Sequence, residues 1–157
     1  MSLASPKPAA INGAAFKIGL VAARFNGELV DALLARVLAT LKSAGVKEAN
    51  LTVVRVPGSH EVPWAAQRLA DRKGCDGVIA LGVLIGGDTN HHEMVGQSVS
   101  HALQRVALDT DVPVINGVIV THTLEQARER CLDPIDRGTE FAQAGLAMAA
   151  LKKELAR

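Results

Sequence analysis

With 157 residues, 48% of them apolar and 21% charged, the chain has the makeup of one globular domain, not of a disordered segment or two domains. Its net charge of +1 argues against an electrostatic nucleic-acid binder, and aromatics at 3% are too few for a base-stacking platform. No apolar run approaches the roughly 20 residues of a membrane span, so no membrane partner is expected.

The opening MSLASPKPAAINGAA (1–15) reads as a flexible arm, kept out of helix by Pro6 and Pro8. It lacks the basic and apolar blocks of a secretory signal, so a cytoplasmic protein is expected. A single domain then fills 16–157. FKIGLVA (16–22) is a first strand. In 27–45, Val30, Leu33, Leu34, Val37, Leu38 and Leu41 recur at helical spacing, with Gly45 where a C-terminal cap belongs. NLTVVRV (50–56) is a second strand, stopped by Pro57 and Gly58. The helix after it tolerates Pro63 in its first turn and is expected to run to Gly74. GVIALGVLI (77–85) is a third strand, apolar enough to be buried on both faces. A long helix over about 91–109 turns Val95, Val99, Ala102, Leu103 and Val106 inward. VPVINGVIV (112–120) is a fourth strand, and helices over 123–131 and 139–157 close the chain. Cys75 and Cys131 follow no metal spacing and read as reduced, inert thiols.

Such alternation predicts a three-layer α/β/α sandwich around a four-stranded parallel, doubly wound, flavodoxin-like sheet. Ligands of such sheets bind beyond the carboxyl ends of the strands. The segments leaving the strands are ARFNGE (23–28), PGSHE (57–61), GGDTNHH (86–92) and THT (121–123). They hold four of the five histidines, and Phe25. Any chemistry is therefore expected along one edge of the sheet.

Gly86, Gly87, Asp88 and Thr89 precede a helix, where backbone N–H groups can converge on a phosphate with the helix dipole behind them. A plain turn is the bland alternative. The run is neither a Walker loop nor a dinucleotide fingerprint. Arg130 can clamp a phosphate in bidentate fashion, or be a solvated charge beside Glu125 and Glu129. His91 and His92 suit proton transfer, but neighbouring helix positions point about 100° apart, so one at most should face a ligand. The bland alternative, a surface histidine, weighs more on His92 than on His91. A helical zinc site needs histidines at i, i+4, and position 95 is Val, so no metal is expected. Phe25, in a polar loop, can stack on a flat ligand or plug the core beneath it. Ser59 and Glu61 can hold polyol hydroxyls or cap the next helix. The residues alone support a domain binding a small phosphorylated or planar polar ligand, with a histidine for proton transfer.

These stretches together resemble the 6,7-dimethyl-8-ribityllumazine synthase family over nearly the whole chain from Phe16. ARFN is similar to its first loop, VPGSHEVP (56–63) to PGAxEIP, ALGVLIGGDTNHH (80–92) to ALGxxIRGxTxH, PVINGVIVTHTLEQARER (113–130) to PVxxGVLTxxTxEQAxER, and DRG (136–138) to NKG. The resemblance implies a cofactor-free condensation of 5-amino-6-(D-ribitylamino)uracil with 3,4-dihydroxy-2-butanone 4-phosphate, the penultimate step of riboflavin synthesis. It implies that Phe25 stacks on the pyrimidine and that Ser59 and Glu61 hold ribityl hydroxyls. Asn26, His60, Val83, Leu84, Ile85, Asn116 and Arg137 are the further substrate contacts it implies. Gly87, Asp88, Thr89 and Arg130 would bind phosphate, and His91 would transfer protons. It also implies a homopentamer, or a multiple of pentamers, in which 116–137 reaches the neighbour's site.

Three positions depart from the family pattern: Gly86 replaces the Arg of IRG, Asn116 stands where many members have Phe, and CLDPIDRG (131–138) does not match the loop of shell-forming members. A non-catalytic flavin or lumazine carrier on the same scaffold is the alternative, against which His91 and Arg130 argue. A flavodoxin-like nucleotide-phosphate binder is a third reading.

Overall fold

A computed structural model describes residues 7–156. The first six residues of the expected arm and Arg157 lie outside the described residues. Strands β1 (Ile18–Ala23), β2 (Leu51–Val56), β3 (Gly77–Ile85) and β4 (Val114–Thr121) alternate with helices. These are α1 (Gly27–Ser43), α2 (Val62–Ala70), α3 (His91–Thr110), α4 (Leu124–Cys131) and α5 (Arg137–Leu155). The sheet is parallel, in the order β2-β1-β3-β4. The expected α/β/α sandwich is thus present.

Alternating strand residues feed two cores. Leu20, Ala22, Leu81 and Val83 pack with Val30, Leu33 and Val37 of α1 and Ala142 and Leu146 of α5. Val21, Ala23, Val78 and Ala80 pack with Ala65 and Leu69 of α2 and Val95, Val99 and Leu103 of α3. β3 is buried on both faces as expected, apart from its last two residues. Each fully buried Leu, Ile or Val stabilises the fold by about 1.5–3 kcal/mol.

Helix α2 stops earlier than expected, at Ala70. Gly74 closes a following turn rather than the helix, with φ +81 and Cys75 N donating to Arg72 O at 3.0 Å. At the amino edge of the sheet, buried Asp76 accepts from Lys17 N at 2.8 Å and pairs with Lys153 Nζ at 3.1 Å. Between α4 and α5, Arg36 reaches Asp133 and Asp136, each at 3.1 Å. Asp136, in the left-handed region, caps α5 by accepting from Thr139 N at 3.2 Å. Among the described residues, no helix is long and apolar enough to cross a membrane.

Candidate functional site

The loop leaving β1 is stitched to its neighbours. Phe25 N donates to Pro57 O at 3.1 Å, and the Asn26 side-chain amide donates to Val83 O at 2.8 Å. Asn26 has φ 53, a left-handed conformation that Asn tolerates better than most residues, and it turns the chain into α1. Phe25 is left 72% exposed, so it does not plug the core. Its ring edge lies against Gly58, where a Cβ would come within 3.3 Å of Phe25 Cδ2.

After β2 the chain makes one turn of 3₁₀ helix, Ser59–Glu61. Glu61 caps this turn, its Oε2 accepting from Gly58 N at 2.8 Å. Ser59 has no such bond. It is buried, its Oγ has no partner among the described residues, and it sits over Gly82, where a Cβ would lie 2.4 Å from that oxygen.

The turn after β3 uses its two glycines differently. Gly86 N donates to Thr121 O at 2.8 Å, and a Cβ at Gly86 would fall 2.6 Å from His122 O. Any side chain at Gly86, including the Arg of the family's pattern, would push the His122 backbone away from the position it takes here. Gly87 faces open space. The N-cap of α3, Asn90, makes no side-chain capping bond, so the helix's first N–H groups remain available to an anion.

His91 and His92 do separate on α3, but not as a pair of surface residues. His91 is exposed, whereas His92 is 8% exposed and stands on the stripe of Val95, Val99 and Leu103. Neither ring nitrogen of His92 has a hydrogen-bond partner among the described residues. Its ring meets that of His122 edge to face, centroids 5.6 Å apart. Donor atoms of His92, Glu93 and His122 all lie within 4.8 Å of one another, a grouping with the chemistry to hold a cation.

The loops enclose a cleft of about 480 Å³. Of the expected residues, Phe25, Asn26, Ser59, His60, Glu61, Val83, Leu84, Ile85, Gly87, Thr89 and His91 line it. Gly58, His92 and Val95 join them. Among the described residues, the buried side-chain N and O atoms without a partner are Ser59 Oγ and the two His92 nitrogens, all on residues of this wall. Buried polar atoms are normally paired, and Asp76 at the far edge is. Unspent hydrogen-bonding capacity is therefore concentrated in the cleft.

Asp88, Asn116, Arg130 and Arg137 are not in this wall, which contains no Lys or Arg. Asp88 is exposed on the turn. Asn116 lies exposed on β4, a sheet-edge strand, its Oδ1 accepting from Val118 N at 3.1 Å. Arg130 is half-buried on α4 and donates to Gln126 O at 2.9 Å, with no carboxylate partner among the described residues. Arg137 opens α5 beside Glu140. Burial pushes the Cys131 thiol up to about 11 and raises that of Cys75, so neither is a ready nucleophile.

The sequence favours a surface position for His92, which the structure buries instead, and it singles out no role for His122. The one available signal was the three-residue step from His92 to Val95, which puts both on the core side of α3.

Residues 15–153 match the sequence model of a family described as 6,7-dimethyl-8-ribityllumazine synthase. Curated relatives carry the same name. One from Thermobifida fusca (strain YX) is 47% identical over 141 residues, covering 88% of this chain and 81% of the relative. One from Paracidovorax citrulli (strain AAC00-1) is 41% identical over 145 residues, covering 92% of each. Another, from Polaromonas sp. (strain JS666 / ATCC BAA-500), is 40% identical over 146 residues, covering 93% of each. With that cleft at the carboxyl ends of its strands, and with this match over nearly its full length, the chain belongs to the 6,7-dimethyl-8-ribityllumazine synthase family.

Proposed function

We propose that the protein condenses 5-amino-6-(D-ribitylamino)uracil with 3,4-dihydroxy-2-butanone 4-phosphate, giving 6,7-dimethyl-8-ribityllumazine, phosphate and water, in the cytoplasm. The observation that carries the reading is the cleft itself. It joins an exposed aromatic, an unpartnered buried hydroxyl and an uncapped helix N-terminus in one wall. Phe25 offers a face to the pyrimidine ring. Ser59 Oγ and Glu61 Oε1, the latter 3.9 Å from His60 Nδ1, serve the ribityl hydroxyls. Gly87 and Thr89, at the start of α3, receive the phosphate. His91 is exposed at the same turn and takes and returns protons as the amine adds to the ketone, phosphate leaves and the second carbonyl closes the ring. Holding two substrates in attacking geometry supplies much of the remaining acceleration.

The site is shared between copies of the chain in a homopentamer or a multiple of it. A phosphate dianion calls for a cation, and the cleft wall holds no Lys or Arg. Arg130 has no carboxylate partner among the described residues and lies outside its own chain's cleft. A neighbour's Arg130, with its Asn116 and Arg137, completes the wall. The alternative of a non-catalytic flavin or lumazine carrier is not favoured, because nothing in binding alone uses a proton-transfer histidine beside a phosphate site.

Mixing two impaired variants tests both parts. His91→Ala and Arg130→Ala, each weak alone, should regain activity when unfolded and refolded together, because some mixed sites then carry both native residues. Activity is read from lumazine absorbance. A wild-type protein that forms no lumazine would overturn the reaction. Variants that never complement would overturn the shared site.

A further inference from the structure

We propose that His92, Glu93 and His122 form a binding site for one divalent transition-metal cation of the zinc class. Two of the donors come from the first turn of α3, and the third from the turn after β4. All three donor atoms lie within 4.8 Å of one another. The set of two imidazoles and one carboxylate is borderline-soft and matches zinc-like ions better than calcium or magnesium.

A cluster of this kind on a surface means little alone. Here a second observation points the same way. His92 is 8% exposed, yet both of its ring nitrogens lack a partner among the described residues. Leaving a buried polar atom unpaired costs about 1–3 kcal/mol, so such atoms are normally satisfied. A cation on one nitrogen satisfies it. The packing around Gly86 supports the arrangement. Because Gly86 has no side chain, the His122 backbone can sit directly against it, which brings the His122 ring up to His92.

The geometry requires a small adjustment. Metal–ligand distances of about 2.0–2.2 Å put tetrahedral donors ~3.3 Å apart. His92 is held in the core, but Glu93 and His122 are exposed side chains that can swing inward. With three protein donors, coordination positions remain for water or an anion. As His92 is also part of the cleft wall, the cation brings a fixed positive charge to a wall that contains no Lys or Arg. The site ties the start of α3 to the β4–α4 turn whether or not substrates are present.

The test uses the full, tag-free chain, stripped with a chelator and dialysed. Zinc is titrated calorimetrically without substrates, and cobalt is followed by its visible ligand-field bands. One saturable site per chain is expected, with cobalt bands of a low-coordinate N/O site. His122→Ala and Glu93→Gln, both at exposed positions, should each weaken zinc at least tenfold. His101→Ala, an exposed histidine farther along α3, should leave it unchanged. Zinc should also raise the melting temperature of the wild type and not of His122→Ala. Absence of saturable binding, affinity that moves less than twofold in His122→Ala, or equal losses in His101→Ala would each overturn the proposal and leave His92 and His122 as a packing pair.

Discussion

The side-chain amide of Asn26 donates to the carbonyl of Val83 at 2.8 Å, tying the loop that carries Phe25 to the strand that floors the cleft. Asn26 is also in the left-handed region, so it serves the loop twice. Asn26→Ala should lose about 1–2 kcal/mol of stability from the bond and the backbone strain together. KM for the pyrimidine should rise more than kcat falls, as Phe25 loses its placement. Unchanged melting temperature and KM would mean that the Phe25 N–Pro57 O bond holds the loop by itself.

Phe25→Ala should weaken binding of the pyrimidine and of flavin-like ligands by about 1–3 kcal/mol, a stacking-sized loss. At 72% exposure the ring contributes little to the core, so the melting temperature should hardly move. Fluorescence titration and thermal unfolding decide the matter. A large drop in stability with unaltered affinity would contradict the stacking role.

His91→Ala should lower kcat by about ten- to a thousandfold, at or below the usual worth of an acid–base group. Residual turnover is expected because positioning survives. His92→Ala should instead act on folding, removing a buried ring at a cost of about 1–3 kcal/mol, with a smaller effect on kcat. Equal kcat losses with equal stability would remove the distinction between the two histidines.

Arg130→Ala should raise KM for the phosphorylated substrate by about 2–3 kcal/mol in free-energy terms, the worth of a charge-assisted contact. Polyol binding should be nearly intact. Steady-state kinetics with each substrate varied in turn separates the two. A shift below twofold in the phosphate substrate's KM would remove Arg130 from the site.

Asp136 yields a pH prediction. Burial pushes its carboxyl up, but bonds from Thr139 and Arg36 outweigh this and hold it below the usual carboxylate range. A lowered folded-state pKa adds stability that is complete above the unfolded value of about 3.9 and is lost as pH falls through the folded value. Asp136→Asn should therefore be less stable than the wild type at neutral pH, and the gap should narrow in acid. Urea unfolding at neutral pH and near pH 3 measures it. A gap that stays constant would show that the cap, not the charge, is what Asp136 contributes.

Much of this architecture was legible in the chain's local pattern. Strand-length apolar runs and helical periodicity are repeated signals, and four strands alternating with helices leave few topologies open. Placing function at the carboxyl ends of the strands needs only the chain's direction, and the cleft lies there. The early stop of α2 was not legible, because Gly74 can end a helix or close a separate turn. Nor was the burial of Ser59, which depends on Gly82 in another strand leaving room for it.

The sequence by itself determined the layers, the edge of the sheet that bears the cleft and most of its wall, because these follow from periodicity within single segments. Only the tertiary structure decided which histidine is buried, how closely the His122 backbone packs on Gly86 and which residues are absent from the chain's own cleft. Reading α3 alone finds no second metal ligand at i, i+4. His122 arrives from beyond β4, brought in by parallel pairing of β3 with β4 and by backbone contact at Gly86. A contact between segments distant in sequence leaves no periodic mark in either one. It exists only once both are packed on the same sheet.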